Sequence, residues 1–275
     1  MATQTVGAAV VTEWNFGTLA ATSPYNTAAA TTGTGTASSL GMTNSYTYTT
    51  SGVVTGVGSV VLDDIVNDGP SGTKNGSTLG NGNVWRIRGA AGTGTTGTTN
   101  NGWNNSAPEY SQGAEFDTST VGFSVSSLTF NWAATTQGIG NLQVQYTIDG
   151  STWTNVGALW NATVDNNATT SAGSGFQTDT VSLAGLNGVS NDANFGIRLV
   201  AAYNPSLAGG TQYASATSVL SGTPVQYNNN SGNWRIADVQ IQGAALTPVP
   251  LPAAAWLFVS GLGLVVRRRK VTAAA

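Results

Sequence analysis

The chain has 275 residues, no Cys and no His, and only 8% of it is charged, well under the roughly 25% usual in soluble domains. These counts exclude a disulfide framework, histidine general-base chemistry and histidine-ligated zinc, so any catalysis would rest on carboxylates. Four of the nine basic residues are Arg267, Arg268, Arg269 and Lys270; the rest of the chain keeps five basic residues against twelve acidic ones, a net of −7 that offers nucleic acid no cationic footprint.

The N-terminus reads MATQTVGAAVVTEWNF, with no basic region leading into a long apolar core, so this stretch is not expected to be a signal peptide. The other end of the chain argues for export, and the expectation is that a leader has been removed.

In chain order, residues 12–243 predict β structure. Strands are expected at 13–16, 59–65 and 84–88. SSLTFNWA then alternates Leu128, Phe130 and Trp132 on one face. NLQVQYTI sets Leu142, Val144, Tyr146 and Ile148 against Asn141, Gln143, Gln145 and Thr147, the period of two that marks a half-buried antiparallel strand. Asp149-Gly150 is a hairpin turn signal, and 151–156 is the expected return strand. Further strands are expected at 178–183, at FGIRLVAAY, which alternates Phe195, Ile197, Leu199 and Tyr203, and at 234–241. Trp85, Trp132 and Trp234 fall on strands and are expected in the core. The Gly/Thr/Asn/Ser-rich stretches 27–39, 89–105 and 212–231 read as surface loops. Many short strands and no amphipathic helix predict an all-β, antiparallel sandwich over 1–245. With few Lys or Glu to guard its edge strands, copies of such a sandwich could join by strand addition.

Residues 246–275 read differently. Val249, Pro250, Leu251 and Pro252 precede an uncharged run at 253–266, and the basic cluster 267–270 follows. As a helix, 253–266 would span about 21 Å at 1.5 Å per residue, short of the roughly 30 Å hydrocarbon core. The cations would stay on the cytoplasmic side, so the body would face outward.

The order proline motif, short apolar helix, basic cluster, chain end resembles the PEP-CTERM sorting signal in its VPLP variant; Leu251 stands where the commonest pattern has Glu. The resemblance implies recognition by an exosortase, transient insertion in the inner membrane, and cleavage near the proline motif in a bacterium that makes extracellular polysaccharide. A permanent membrane anchor is the alternative. A second resemblance rests on TEWNF, VQYTIDGSTWTNVG, NFGIRLVAAY and NWRIADVQIQG in that order. These resemble bacterial exported jelly-roll domains, which sit beside carbohydrate-binding modules and discoidin-like sandwiches. The implied fold is a jelly roll with its first and last strands close together, followed by a short C-terminal hydrophobic helix.

Many such modules hold a structural Ca²⁺ between an early-strand Glu and a last-strand Asp, and Glu13 and Asp238 match those places. Period two puts Asp238 on the face of Trp234 and Ile236, where a carboxylate must be paired or metal-bound; pairing with Arg235 or Arg198 is the other reading. Asp63, Asp64 and Asp68 read as a solvated turn or a second Ca²⁺ loop, with spacing unlike an EF-hand. Trp103, Tyr110, Trp153 and Trp160 lie in or near loops, where exposed aromatics would stack on sugar rings. Glu115 and Asp117 share one strand face. They resemble half of the paired-carboxylate motif of laminarinase-type jelly rolls, but Ser119 stands where the last Glu would be, and nothing in the spacing lets Glu109 replace it. Asn75, Asn104, Asn161, Asn167 and Asn229 open N-x-S/T triplets, mostly a coincidence of composition. The leading expectation is an exported, non-enzymatic cell-surface or matrix protein tied to exopolysaccharide or biofilm. A carbohydrate-binding module is the alternative, and a carboxylate glycosidase the weaker one.

Overall fold

The computed structural model describes residues 8–16, 27–41, 45–50, 53–59, 63–66, 72–74, 77–79, 84–87, 94–95, 103, 107–135, 138–162, 176–227 and 233–246. The chain divides into two compact units, Met1–Ala245 and Leu246–Ala275. Beyond Leu246 the second unit, with the proline motif 249–252, the apolar run and the basic cluster, lies outside the described residues. Among the described residues no helix is long and apolar enough to cross a membrane.

The strands, in chain order, are β1 (Ala9–Trp14), β2 (Thr27–Ala29), β3 (Gly35–Leu40), β4 (Ser45–Thr50), β5 (Val53–Ser59), β6 (Asp63–Val66), β7 (Gly72–Lys74), β8 (Ser77–Leu79), β9 (Val84–Ile87) and β10 (Gly94–Thr95). They continue with β11 (Gly113–Thr118), β12 (Phe123–Ala134), β13 (Asn141–Thr147), β14 (Thr154–Asn161), β15 (Gln177–Ser182), β16 (Gly196–Ala201) and β17 (Trp234–Ala245). A five-residue helix, α1 (Ala216–Leu220), follows the Ser215 N-cap, whose side chain accepts from the Ser218 N–H.

Two six-stranded sheets build the body. The first runs β15-β12-β17-β9-β6, with β1 also on β17; the second runs β14-β13-β16-β11-β3-β2. All pairings in both are antiparallel. From β11 onward the chain crosses repeatedly between the sheets, which is jelly-roll connectivity. The first and last strands pair directly, Glu13 opposite Gln240 and Trp14 opposite Val239.

The core lies between the sheets and is aromatic. Trp14, Trp85, Trp132, Trp234, Phe116 and Phe130 are all fully buried, each contributing about 1.5–3 kcal/mol over an exposed position. Trp14 and Trp85 both meet Phe116 edge-on, joining the first sheet to the second. The Trp234 indole N–H donates to the Ile139 carbonyl at 2.7 Å, so its burial strands no donor.

Three local readings are corrected. Residues 27–39, expected as a loop, hold β2 and most of β3. Small residues are required there: Ala28 and Ala37 are buried, Ala37 lies opposite Phe116, and a Cβ on Gly35 would come within 2.7 Å of the Trp14 ring. The stretch 212–231 includes α1. Ile148 continues the alternation of β13 in sequence but lies past its end and is exposed.

Candidate functional site: the outer face of the second sheet

Period two sends Leu142, Val144, Phe116, Ile197 and Leu199 into the core, so the intervening side chains of β13, β11 and β16 cover the opposite face. Strand register arranges them in rows. One row is Asn155, Gln145, Arg198, Glu115 and Ser38; the next is Thr147, Gly196, Asp117 and Thr36. The β13 members of this face, Gln143, Gln145 and Thr147, are buried, so β13 is covered on both sides and not half-buried as expected; the exposed polar groups of the two rows are Asn155, Asp117 and Thr36.

Within the first row the Arg198 guanidinium reaches Glu115 Oε2 through both Nε and Nη2, each at 2.6 Å. Its carbon also lies 3.8 Å from the centroid of the Trp153 ring. One aromatic face is therefore backed by a cation that is itself held by a carboxylate. Trp153 is half-buried, and the rest of its indole is open to solvent.

Gly196 makes this convergence possible. A Cβ there would meet Asp117 Oδ1 at 2.8 Å, Thr147 Cγ2 at 3.0 Å and Trp153 Cη2 at 3.1 Å. Its backbone φ is ordinary, so the requirement is space. The glycine leaves a notch in β16 that the indole edge and the Asp117 carboxyl both flank.

Beside the notch lies a shallow cleft of about 440 Å³, lined by Glu115, Asp117, Asp149, Thr36 and Asn194 among others. Asp149 Oδ1 accepts the backbone N–H groups of Ser151 and Thr152, which hold its carboxyl well below the usual carboxylate range. Asp117 is exposed as a residue, yet desolvation of its carboxyl, then the charge of the adjacent Glu115, push it up to about 6 against the pull of Arg198.

A second cleft of about 450 Å³ opens among Glu109, Tyr110, Gln143, Tyr203, Pro205 and Leu207. Tyr110 has φ 64, a left-handed conformation that is costly for a bulky side chain and worth about 1–3 kcal/mol of strain. Its N–H donates to the Ala201 carbonyl, and its hydroxyl accepts from Asn155 Nδ2 at 3.2 Å. The bent backbone sets the phenol beside the first row. Burial raises the Tyr110 hydroxyl above its ordinary value. Glu109 Oε1 accepts the Tyr203 N–H, tying the two sides of the cleft.

Of the four aromatics expected to form a sugar platform, Trp153 stacks on Arg198 and the Tyr110 hydroxyl accepts from Asn155 at the end of the same row. The other two are corrections. Trp103, expected exposed, is fully buried and lies 4.6 Å from Trp234, centroid to centroid. Trp160 pairs with Leu142 and turns inward, its ring edge-on to Phe130.

Asp238 is also corrected. Opposite Thr129–Asn131, β17 has one extra residue, and Asp238 takes φ 47 there. The bulge resets the alternation: Ile236 and Val239 are both buried, and Asp238 leaves the apolar face. Its Oδ2 accepts from Asn131 Nδ2 at 3.0 Å. Arg198 lies in the other sheet and pairs with Glu115. Glu13 accepts from Gln240 Nε2 at 2.8 Å and from Thr32 Oγ1 at 3.1 Å. Each of these carboxylates has at least one amide or hydroxyl donor in hand. Among the described residues no group of three or more acidic side chains is placed to hold a metal ion. Asp63 and Asp64 open β6; their side chains and Asp68 lie outside the described residues.

Sequence reasoning missed Arg198, Gly196, Gln145 and Tyr203 as members of the face. For Arg198, Gly196 and Gln145 the signal was that they alternate with the apolar set of their strands; Tyr203 reads in sequence as a member of that set.

No protein-family model matches the chain, and no curated protein matches it. Among solved structures it is similar to the K1 cleaved adhesin domain of Lys-gingipain from Porphyromonas gingivalis W83, with 9% identity over 86% of this chain and 97% of that one, TM-score 0.38. A Stig cyclase from Fischerella sp. TAU matches at 12% identity over 67% and 76%, TM-score 0.36. A xylan-binding domain from CBM 22 matches at 11% over 68% and 85%, TM-score 0.29. Likenesses this loose carry no argument; the sandwich rests on the chain's own strand pairings.

Proposed function

We propose that residues 1–245 form a non-catalytic polysaccharide-binding sandwich, and that the outer face of its second sheet is the binding surface. The observation that carries this is the half-exposed Trp153 platform, backed by Arg198, with the Asp117 carboxyl beside the same Gly196 notch. Sugar rings present apolar C–H faces and hydroxyl edges. A half-exposed indole suits the first, and the exposed Asn155, Asp117 and Thr36 in two adjacent rows suit the second. The Tyr110 cleft extends the surface along β13.

Binding is favoured over hydrolysis because Glu115 is held in an ion pair by Arg198, and Ser119 stands where the last carboxylate of the glycosidase pattern would be.

The reading extends to the second unit. Residues 246–275 serve as an exosortase sorting signal, held transiently in the inner membrane and cut near the proline motif so that the body reaches the cell surface or matrix, where extracellular polysaccharide is the ligand. A glycan array probed with the chain tests the binding claim. Retention of a neutral polysaccharide, lost on Trp153→Ala, is the expected result; no retained glycan would overturn it.

A further inference from the structure

The second cleft is built around Gln143, which is 5% exposed and lines it. Its Nε2 donates to the Val144 carbonyl at 2.9 Å and to the Val156 carbonyl at 3.0 Å, at the register shift between β13 and β14. Both amide hydrogens are spent, so the amide is fixed in one orientation. Among the described residues nothing donates to its Oε1. That oxygen is the polar atom Gln143 offers to the cleft, and it can only accept.

The rest of the lining has the same bias. Glu109 is half-buried, its Oε1 accepts the Tyr203 N–H at 2.9 Å, and among the described residues no cation pairs with it. No Lys or Arg lines the cleft among the described residues. Leu159, Pro205 and Leu207 supply apolar wall. The Tyr203 ring is held at both ends: its hydroxyl donates to the Ala107 carbonyl at 3.2 Å, and the ring meets Tyr213 edge-on at 4.6 Å. A volume of about 450 Å³ falls within the roughly 300–1,000 Å³ of small-ligand pockets.

We propose that this cleft is a second sugar subsite, separate from the Trp153 platform, that takes a non-acidic pyranose unit: sugar hydroxyls donate to Gln143 Oε1 and to Glu109, and the apolar C–H face packs on Leu159, Pro205 and Leu207. The proposal deepens the polysaccharide-binding reading and rests on it for its biological meaning.

The choice against acidic sugars follows from charge. A uronate carboxylate here would lie beside Glu109 with no cation to offset it, and one like-charge contact near 4 Å in water is worth about fivefold in affinity. The first cleft differs, because Arg198 stands beside it. The two subsites share one face. Gln143 and Thr147 are four residues apart on β13, about 13 Å at 3.2–3.4 Å per residue, so one polysaccharide strand laid along β13 can engage both.

The test is a ¹H–¹⁵N titration of the full chain at neutral pH and about 0.15 M salt, where distant charges are screened. The probes are the methyl β-glycosides of glucose, galactose, mannose, xylose and N-acetylglucosamine, and methyl β-glucuronide. Saturable shifts of the Gln143 side-chain amide and the Gly209 and Gly210 backbone amides are expected with at least one neutral glycoside. The glucuronide should bind about fivefold more weakly than the glucoside, and in Glu109→Gln the two should come within about twofold. Leu207→Trp, which fills the cleft from its loop side and leaves Gln143 in place, should remove the Gln143 shift. No saturable shift at these amides with any neutral glycoside, or glucuronide binding as tight as glucoside in the parent, overturns the proposal. Shifts confined to the Trp153 indole N–H would overturn the second subsite and leave the platform reading standing; shifts at the cleft with none at Trp153 would support the subsite and count against the platform.

Discussion

Arg198 stacks on Trp153 at 3.8 Å while the same guanidinium reaches Glu115 at 2.6 Å, so one cation links an aromatic platform to a sheet carboxylate. The pair is about 20% exposed on each side, and an ion pair of that kind adds only about 0–1 kcal/mol. Its significance is geometric: it fixes where the indole lies.

Gly196→Ala tests the notch. The added methyl would meet Asp117 Oδ1, Thr147 Cγ2 and Trp153 Cη2 at 2.8–3.1 Å. Overpacking of this kind costs about 1–3 kcal/mol. The expected outcome is a folded protein with lowered stability in urea and at least about tenfold weaker polysaccharide binding. Unchanged binding would mean that the indole and carboxyl need not flank an open notch in β16.

Trp103→Ala and Trp153→Ala should separate core from platform. Trp103 is fully buried against Trp234, and its truncation should cost about 3–5 kcal/mol. Trp153 is half-buried, and its loss removes a cation–π contact of about 0.5–2 kcal/mol. Thermal unfolding of the two variants side by side checks the order.

Asp179 predicts a pH effect. It is 6% exposed, lies opposite Phe130, and accepts from Gln177 Nε2 at 2.8 Å. Burial raises its carboxyl. A raised acid holds its proton more tightly folded than unfolded, so its stabilising term is complete below the ordinary value of about 3.9 and is lost as pH rises through the folded value. Asp179→Asn should therefore be more stable than the parent at neutral pH, with the gap closing as pH falls toward about 3. Denaturant curves at both ends of that range check the sign.

The sorting tail makes a separate prediction. Protein recovered from the native cell surface should have an intact mass ending near Val249–Pro252. A mass retaining Arg267, Arg268, Arg269 and Lys270 would make the tail a lasting membrane anchor.

Much of the architecture was legible because period-two alternation is strong in β12, β13, β16 and β17. Trp85, Trp132 and Trp234 sit where that alternation places them. Three things hid the rest. Edge strands that pack against large rings are made of Gly, Ala and Thr, so 27–39 reads as a loop although Ala37 lies opposite Phe116. A bulge changes phase without changing the sequence pattern, and Asp238 therefore lies off the face that the alternation assigns it. Polar neighbours made Trp103 look exposed, when its ring is carried into the core beside Trp234. The candidate site was only half legible for a related reason. Glu115 and Arg198 are separated by 83 residues, and only the pairing of β11 with β16 brings them together.

The most direct measurement is the equilibrium dissociation constant of the best array-identified polysaccharide for the parent chain, Trp153→Ala and Trp160→Ala. The outer-face account predicts at least about a tenfold loss for Trp153→Ala, roughly 1.4 kcal/mol, and no comparable loss for Trp160→Ala, whose ring turns inward. Equal binding by the parent and Trp153→Ala, or a loss confined to Trp160→Ala, would contradict it.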